Sequence, residues 1–389
     1  MNRVLVLGGG FAGLEAAIYL RKQEIAVTLV SDRDYFYIYP TSIWIPTAEV
    51  TQEDVSVPLD RLAMKHGFQL IIDSVEQFDA KAKRVTLVSG RVLEGYDYIV
   101  VALGQDKMQH KGMEHTLSIC GKPEEATALY ERLDSLIAKG SGKIAMGFGG
   151  NPKDSSAVRG GPAFELLFNV HHYLKKKGVR THFELTFFAP MPKPGQKMGD
   201  KALVMMDRMF QRLDIHKKVG SKIIAFTSDG IVFEDGHTIV SDLIMFISAG
   251  TGHSVLKASG LPLNEAGFVV TNAYNEIEGF EGIYAIGDAA ALMGPQWRAK
   301  QGHVAEVMAK NVAYNIAMTM QRIDSKRSYM EHLNILCVMD TGNGAAFVYR
   351  DDKSAKMIPM PIVGHWMKKG WGWYCRNSKL GRIPRIPGL

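Results

Sequence analysis

The residue types best suited to redox chemistry in this 389-residue chain are its three cysteines, Cys120, Cys337 and Cys375. Three thiols are too few to form a disulfide framework in a chain of this length. Each is therefore either a small buried hydrophobic side chain or a reactive group. A reactive thiol needs a lowered pKa, which a nearby cation or a helix N-terminus would provide.

A glycine-rich turn near the N-terminus is the second candidate for chemistry. Gly8, Gly10 and Gly13 lie between an apolar, strand-like segment and a predicted helix. In a dinucleotide-binding turn the first glycine permits the bend, the second admits the pyrophosphate, and the third allows close packing of strand and helix. The phosphates then lie on the first amides of the helix, so Phe11 and Ala12 are also candidate contacts.

Two later strand ends carry polar side chains that suit a nucleotide. Ser31, Asp32 and Arg33 follow the second predicted strand about 20 residues after the turn, where a ribose-binding group is expected. Gly287 and Asp288 end a late strand, where a carboxylate could accept hydrogen bonds from a flexible polyol such as ribityl, which NAD lacks. The alternative role for Asp288 is to cap a following helix.

Ala102 and Gly104 end another predicted strand in a small-residue turn. With the two preceding features, this turn resembles the three FAD contacts of flavoproteins that have two dinucleotide-binding domains. A helix predicted from about Arg298 would direct its N-terminus at the flavin edge where negative charge develops on reduction. Lys300 is a candidate for this position near the flavin edge, and its alternative role is that of a solvated helix residue. The remaining candidate cofactor contacts are Pro40, Val75, Lys300, Gln301 and Gly302.

Short apolar strands alternate with predicted helices through most of the chain, which indicates parallel, doubly wound sheets. The predicted fold class is α/β, with two Rossmann-like dinucleotide-binding domains and a C-terminal membrane-associating segment. We predict a discontinuous FAD-binding domain from residues 1–115 and 255–320. Residues 116–254 would form the second Rossmann-like domain, and residues 321–389 the separate C-terminal region.

The second predicted nucleotide fold lacks the means of holding NAD(P)H. Its first strand, 143–148, is separated from the helix that follows by the extra residues 151–159. Its next strand ends in Ala189 and Pro190, with neither an acid for the ribose hydroxyls nor an arginine for a 2′-phosphate. We therefore predict a degenerate NAD site and a different, small electron donor.

Five segments of the sequence carry a family resemblance, namely 27–33, 39–42, 118–120, 161–165 and 336–342. On these segments, and over nearly its whole length, the chain resembles the sulfide:quinone oxidoreductases, which are related to flavocytochrome c sulfide dehydrogenases and type II NADH dehydrogenases. The resemblance implies FAD as cofactor, sulfide as donor and a membrane quinone as acceptor. It assigns Cys337 to the thiol beside the flavin, Cys120 to the redox relay or to a covalent bond with the flavin, and Glu165 to proton transfer.

The chain departs from that family at its middle cysteine, where Arg159 stands. The resemblance also places Glu124 and Gln196 where the family has two histidines. The usual thiol pair therefore cannot form. Either Cys120 partners Cys337, or one thiol works with an external acceptor, or the donor is not sulfide.

The net charge of +6 is concentrated at the C-terminus, because the segment 366–389 has six basic residues and no acidic one. A local basic patch of this kind argues against a broad nucleic-acid-binding face. No stretch approaches the roughly 20 apolar residues of a spanning helix, and no secretory signal is expected, so membrane contact would be peripheral. The six basic residues are Lys368, Lys369, Arg376, Lys379, Arg382 and Arg385.

Aromatic side chains beside these cations suit the headgroup boundary of an anionic lipid surface. The alternative is a tail that packs its tryptophans on the body of the protein or on another subunit. The resemblance also implies a quinone entry at this end of the chain, whereas Cys375 is expected to be structural. The candidate quinone contacts are Phe347, Trp371, Trp373 and Tyr374.

Three other functions are compatible with these patterns. The chain could be an NADH:quinone oxidoreductase of the same architecture, or a flavoprotein sulfide dehydrogenase with a cytochrome partner. It could also be a flavin-bound scaffold whose tail only binds membranes or partners. A homo-oligomer is possible, and no residue is assigned as a metal ligand.

Overall fold

The computed structural model describes residues 2–386. The helices of this range begin and end close to apolar periodic segments of the sequence. They are α1 (Phe11–Lys22), α2 (Leu59–His66), α3 (Pro123–Lys139), α4 (Gly161–Lys176), α5 (Asp200–Arg212), α6 (Gly302–Met320) and α7 (Val363–Lys379).

The strands of the same range are short and separated mostly by turns and helices. The first ten are β1 (Arg3–Leu7), β2 (Ala26–Ser31), β3 (Tyr35–Tyr37), β4 (Ser56–Pro58), β5 (Gln69–Ile72), β6 (Val75–Asp79), β7 (Arg84–Leu87), β8 (Val92–Leu93), β9 (Tyr98–Val101) and β10 (Gln105–Lys107). The next nine are β11 (Thr116–Leu117), β12 (Gly142–Phe148), β13 (Phe183–Ala189), β14 (Ile215–Val219), β15 (Ile223–Thr227), β16 (Gly230–Phe233), β17 (Thr238–Val240), β18 (Leu243–Ile247) and β19 (Gly250–Gly252). The last four are β20 (Ile283–Ala285), β21 (Ile335–Asp340), β22 (Gly344–Arg350) and β23 (Ala355–Pro361).

The first large sheet has the strand order β20-β9-β1-β2-β5, and every neighbouring pair is parallel. Its central strand β1 is fully buried from Val4 to Leu7, as expected for a parallel strand covered on both faces. Helices α1 and α6 pack together and bury their apolar sides in one core with this sheet. The carboxyl ends of the parallel strands therefore meet at one edge of the sheet.

A second parallel sheet has the order β11-β18-β12-β13-β14. Its core contains stacked phenylalanine rings, with 4.9 Å between the centroids of Phe164 and Phe187 and 5.1 Å between those of Phe187 and Phe210. The predicted α/β class with two parallel, Rossmann-like sheets is confirmed.

The C-terminal region consists of the antiparallel sheet β21-β22-β23 followed by α7. Gly364 and Gly372 let α7 lie close to the body, because a Cβ at these positions would lie 2.5 Å from the Ala345 Cβ and 2.6 Å from the Thr41 Cγ2. None of the seven helices in the described range has both the length and the apolar composition needed to cross a bilayer. The last three residues of the predicted segment 321–389 lie outside the described residues.

Most of the basic tail is not the exposed patch that the sequence predicts, although Arg382 is exposed. Lys379 is 1% exposed, and its ammonium lies 3.1 Å from a carboxylate oxygen of Glu15 in α1 and 2.5 Å from one of Glu306 in α6. Arg385 also pairs with Glu15, and Arg376 donates to main-chain carbonyls at Glu53, Asp54 and Ser56. These cations neutralise buried carboxylates or bind backbone, so they are not available to anionic lipid.

We predict that Lys379→Met will lower the free energy of unfolding by about 3–5 kcal/mol, since it leaves a buried carboxylate without its cation. Urea unfolding followed by circular dichroism measures this difference. The matched control is Lys217→Met, because Lys217 pairs with Asp207 on the surface and should change stability by less than about 1 kcal/mol. Equal stability of the two variants would contradict the assigned role of Lys379.

Candidate functional site

The glycine-rich turn lies at the carboxyl edge of the first sheet. The Gly8 amide donates to the Val30 carbonyl of β2 at 2.8 Å, and the Ala102 amide after β9 donates to the Leu7 carbonyl of β1, also at 2.8 Å. The connections leave β1 toward β2 on one side, and β9 lies on the other. A crevice between strands that lead in opposite directions is where open α/β sheets bind their ligands.

Two glycines of the turn are required by close packing, and a third leaves space. Gly8 has a φ of +113°, and a Cβ there would lie 2.2 Å from the Ala102 carbonyl oxygen. A Cβ at Gly13 would lie 1.8 Å from the Gly8 oxygen. At Gly10, by contrast, a Cβ would meet no described atom within 4 Å. The backbone is therefore open at the position where a pyrophosphate would approach.

Helix α1 begins directly at this opening. Its N-cap is Gly10, which offers no side-chain cap, so the main-chain amides of Phe11 and Ala12 can donate hydrogen bonds to an anion. The late turn closes over them, because Gly287 has a φ of +61° and its Cβ would lie 2.7 Å from the Ala12 Cβ. Gly302 at the start of α6 lies next to Phe11, at 3.7 Å by the same measure. These residues fit a dinucleotide cofactor.

The other early candidates occupy different places around the edge of the sheet. Ser31 is buried below Gly9 and donates to the Arg33 carbonyl at 2.7 Å, whereas Asp32 is exposed at the end of β2. Pro40 lies in the short 3-10 helix that spans 39–44, and Gly104 follows β9 with a φ of +76°. Val75 begins β6, in a separate antiparallel sheet.

The helix predicted from about Arg298 begins later, at Gly302. The Arg298 guanidinium donates to the carbonyls of Leu292 at 2.8 Å and Pro295 at 3.2 Å. The Lys300 amide donates to the Ser156 carbonyl at 2.9 Å, so this segment is held outside the helix by partners elsewhere in the chain. Gln301 is the N-cap of α6.

Lys300 is buried, so the alternative of a solvated helix residue is wrong. Its ammonium donates to the carbonyls of Asp288, at 3.0 Å, and Ala290, and lies 3.9 Å from the centroid of the Phe268 ring. Burial lowers the pKa of Lys300 to about 8. The side chain therefore ties the late Gly-Asp turn to the segment that precedes α6.

A 12-residue loop, 149–160, separates β12 from α4 in the second sheet. Asp154 caps its short 3-10 helix by accepting from the Ser156 amide at 2.9 Å, and the Asn151 side chain donates to the Gly250 carbonyl at 2.8 Å. A Cβ at Gly160 would lie 2.8 Å from the Phe148 ring. The loop thus packs on the end of β12 and separates that strand from the amides of α4.

The same loop carries Arg159 to the first sheet. Its guanidinium forms an ion pair with the carboxylate of Asp288. Burial opposes the charge, but Asp288 holds the pKa of Arg159 above its ordinary value. The two parallel sheets are therefore joined by a charge pair at the late Gly-Asp turn.

Cys120 and Cys337 are half-buried free thiols that pack against the same hydrophobic cluster, whereas Cys375 is buried in α7. Burial and, next, Glu165 raise the pKa of the Cys337 thiol to about 12. Burial also raises the pKa of Cys120, opposed by Arg159 and Lys107. The lowered pKa that the sequence analysis expects for Cys337 is therefore not present in this structure.

Glu165 is 3% exposed on α4, so the alternative of a surface helix glutamate is wrong. It forms an ion pair with Lys368 of α7 and accepts the main-chain amide of Asp340 at 2.8 Å. Burial raises the pKa of Glu165, although Lys368 opposes the shift.

Sequence reasoning missed Lys368 and Asp340 as neighbours of this carboxylate. The signal was the spacing of His365, Lys368 and Lys369, which places three cationic side chains on one face of a helix.

The four quinone candidates lie in different environments. Phe347 is half-buried on β22, and Trp371 packs against the core of the first sheet. Trp373 is 62% exposed, and the Tyr374 hydroxyl accepts the Ile386 amide at 2.6 Å. Trp371 and Trp373 therefore lie on different sides of α7.

Comparisons with known proteins support the resemblance found in the sequence. A family model described as pyridine nucleotide-disulphide oxidoreductase matches residues 2–310. A sulfide-quinone reductase from Aquifex aeolicus is 29% identical over 97% of this chain and 92% of its own length. A type II NADH:quinone oxidoreductase from Staphylococcus saprophyticus is 24% identical over 91% of this chain and 92% of its own length.

Solved structures give the same result. The X-ray structure of the sulfide:quinone oxidoreductase from Aquifex aeolicus superposes with a TM-score of 0.88 at 26% identity, covering 98% of this chain and 92% of that chain. The structure of NDH2 from Plasmodium falciparum superposes with a TM-score of 0.74 at 12% identity, covering 99% of each chain, which shows a shared fold.

We predict that Gly10→Ala will weaken flavin retention by about tenfold or more, because the new methyl group enters the open space at the turn. The stability of the apoprotein should stay unchanged, since that space is empty of described protein atoms. Flavin absorbance per protein and thermal melting of the apoprotein measure the two effects. Gly13→Ala is the matched comparison and should lower both, because its Cβ collides with the Gly8 carbonyl. Full flavin retention in Gly10→Ala would contradict the assignment of this open space to the pyrophosphate.

Proposed function

We propose a function from one premise: the chain belongs to the pyridine nucleotide-disulphide oxidoreductase family and is an FAD-dependent oxidoreductase. The proposed reaction is the oxidation of sulfide to sulfane sulfur or polysulfide, with transfer of the electrons to a membrane quinone. When bound, FAD supplies the ability to accept two electrons from the donor and deliver them to the quinone. The similarity to sulfide:quinone oxidoreductase over nearly the whole chain is the main support.

We place the FAD-binding domain at residues 1–115 and 255–320, around the first sheet. Gly8, Gly10 and Gly13 would hold the pyrophosphate on α1, and Ser31 would lie toward the ribose. Asp288 would bind the ribityl chain, in exchange for part of its contact with Arg159. Residues 116–254 form the proposed second domain, and residues 321–389 the proposed quinone and membrane region.

The loop 149–160 supports a small electron donor in place of NADH. It packs on the end of β12, and its Asp154 is fixed by Ser156 and by Asn264 at 3.1 Å. A dinucleotide in the second domain would need the amides of α4 close to that strand end. The loop instead extends to Asp288 in the first sheet.

We assign the sulfur chemistry to Cys337 with Cys120 as the second thiol, because Arg159 replaces the middle cysteine of the family. Cys337 precedes Asp340 on β21, and Asp340 binds Glu165 through its amide. Glu165 and Lys368 form a buried acid–base pair next to this strand, so they would move protons at the site. Lys300 and Arg159 would hold the late Gly-Asp turn in place.

We further propose that the protein docks on a membrane through the outer face of α7. Its inner face carries cations that are used inside the protein, whereas its outer face and the preceding strand expose large apolar side chains. Each such side chain contributes about 1.5–3 kcal/mol when it is buried in an apolar phase. The exposed apolar residues are Ile358, Ile362, Val363, Trp366, Met367 and Trp373.

We predict that anaerobic addition of sulfide will bleach the flavin absorbance of the purified protein and that NADH will not. Cys337→Ala should keep its flavin and lose sulfide-dependent bleaching, because the sulfur through which the two electrons of sulfide would pass to the flavin is gone. Cys375→Ala is the matched control, since Cys375 is buried in α7, and it should bleach at the rate of the unmodified protein. Bleaching by NADH but not by sulfide would refute the proposed donor.

We predict that the protein binds vesicles of phosphatidylcholine alone about as well as vesicles that also contain phosphatidylserine. Raising the salt from about 0.1 M to about 1 M should not release it, because contact rests on apolar burial and not on exposed charge. Sedimentation with the vesicles measures binding. Trp366→Gln combined with Trp373→Gln should reduce it, whereas Val204→Gln, at an exposed apolar site on α5, should not. Binding that requires phosphatidylserine and disappears in salt contradicts this view.

A further inference from the structure

Three ion pairs fix the N-terminal half of α7 to the body of the protein near Cys337. In each pair α7 supplies the cation, and a different element supplies the carboxylate. The carboxylates come from α4, from the end of β21 and from the segment after the 3-10 helix 39–44. The pairs are Lys368–Glu165, His365–Asp340 and Lys369–Glu49.

The two inner carboxylates are adjacent and almost fully enclosed. The Asp340 amide donates to the Glu165 carboxylate at 2.8 Å, and the side chains of Glu165 and Asp340 are 5% and 0% exposed. Asp340 accepts further hydrogen bonds from the Gly342 amide at 2.8 Å and the Trp44 indole at 3.4 Å. Buried charges need a partner of opposite sign, so two neighbouring carboxylates require two cations.

The surroundings of His365 favour the imidazolium form, because a carboxylate oxygen faces each ring nitrogen. Its Nδ1 lies 2.7 Å from an oxygen of Asp340, and its Nε2 lies 3.4 Å from an oxygen of Glu49. Ionised carboxylates only accept hydrogen bonds, and a neutral imidazole can donate from only one of its nitrogens. The other charged groups around it are Lys368 and Lys369 on its own helix and His172 on α4.

We propose that His365 is a positioning residue that, as a cation on Asp340, leaves Lys368 to Glu165 and so sets the proton affinity of Glu165 beside Cys337. This role rests on the proposed function of Glu165 in proton transfer. If position 365 is neutral, Asp340 lacks its counter-charge, and Lys368 is the next cation along the same face of α7. Lys368 would then be shared between the two carboxylates, and Glu165 would hold its proton more tightly.

The expected pH dependence follows from the pairing. Hydrogen bonds to Asp340 and Glu49 raise the pKa of His365 from 6.5 to about 9. The contribution of its charge is therefore complete below about pH 6.5 and is lost as the pH rises through about 9. Asp340 and Glu49 remain ionised over this range, since His365 keeps the pKa of both carboxyls low in spite of their burial.

The test uses the holoenzyme with its flavin reduced by dithionite and then mixed with a water-soluble quinone. The rate of flavin reoxidation is recorded against pH. Because dithionite replaces the natural donor, this experiment does not depend on whether sulfide is that donor. The unmodified protein should show a rate that falls as the pH passes about 9. A rate that is flat across this range would overturn the proposal.

His365→Gln should lower the rate at neutral pH by about tenfold and remove the fall near pH 9, and His365→Lys should restore most of the rate. His115→Gln is the matched control, since His115 is an exposed histidine, and it should behave as the unmodified protein. Trp44→Phe removes a neutral hydrogen bond from the same carboxylate, so it should leave the pH of the fall unchanged. If Trp44→Phe shifted the pH at which the reoxidation rate falls, the fall would depend on packing around Asp340 and not on the charge of His365, and the proposal would be wrong.

A double variant keeps the test decisive if His365→Gln folds poorly. Asp340→Asn removes the charge that His365 neutralises, so Asp340→Asn with His365→Gln should recover the rate and flavin content to within about threefold of the unmodified protein. The proposal is wrong if the double variant is as impaired as His365→Gln alone.

Discussion

A carboxylate buried without a cation costs several kcal/mol, and four carboxylates of the described residues are buried where α7 and the segment after it meet the body. Asp340 lies on the strand of Cys337, Glu165 lies next to that strand, and Glu15 and Glu306 lie on α1 and α6. All four are paired with cations from the C-terminal segment. The position of α7 is thereby fixed at both ends, against the second sheet near its start and against the helices of the first sheet near its end.

Because of this constraint, the inner face of α7 is charged and its outer face is apolar, the reverse of an ordinary surface helix. Its inner face at helical spacing consists of His365, Lys368, Lys369, Arg376 and Lys379, and its outer face exposes Val363, Trp366, Met367 and Trp373. An amphipathic surface helix normally buries its apolar stripe and exposes its charges. Here the charges are satisfied internally, so the apolar face is left for an apolar environment. The proposed membrane contact and the proposed proton chemistry at Glu165 thus use opposite faces of one helix.

The parts of the fold that depend on local patterns could be predicted from the sequence. The turn from Gly8 to Gly13 and the alternation of strands and helices are encoded by residues close in the chain, and they identified both parallel sheets. The basic tail was misjudged because its partners Glu15, Glu49 and Glu165 lie 203 to 364 residues away, and charge composition does not reveal such pairing. The start of α6 was misplaced for the same reason, since the Lys300 amide is bound by Ser156 of a distant loop.

The loop that carries Arg159 connects the second sheet to the late Gly-Asp turn beside the first sheet. Extra residues after β12 separate that strand from α4, and they also give the loop the reach to place a guanidinium on Asp288. Lys300 binds the main chain of the same turn, so two cations and one carboxylate meet there. A surplus of positive charge at a fixed site stabilises negative charge that develops close to it, and more so where water is excluded. Arg159 therefore adds a fixed positive charge at the turn where the proposed function places the flavin.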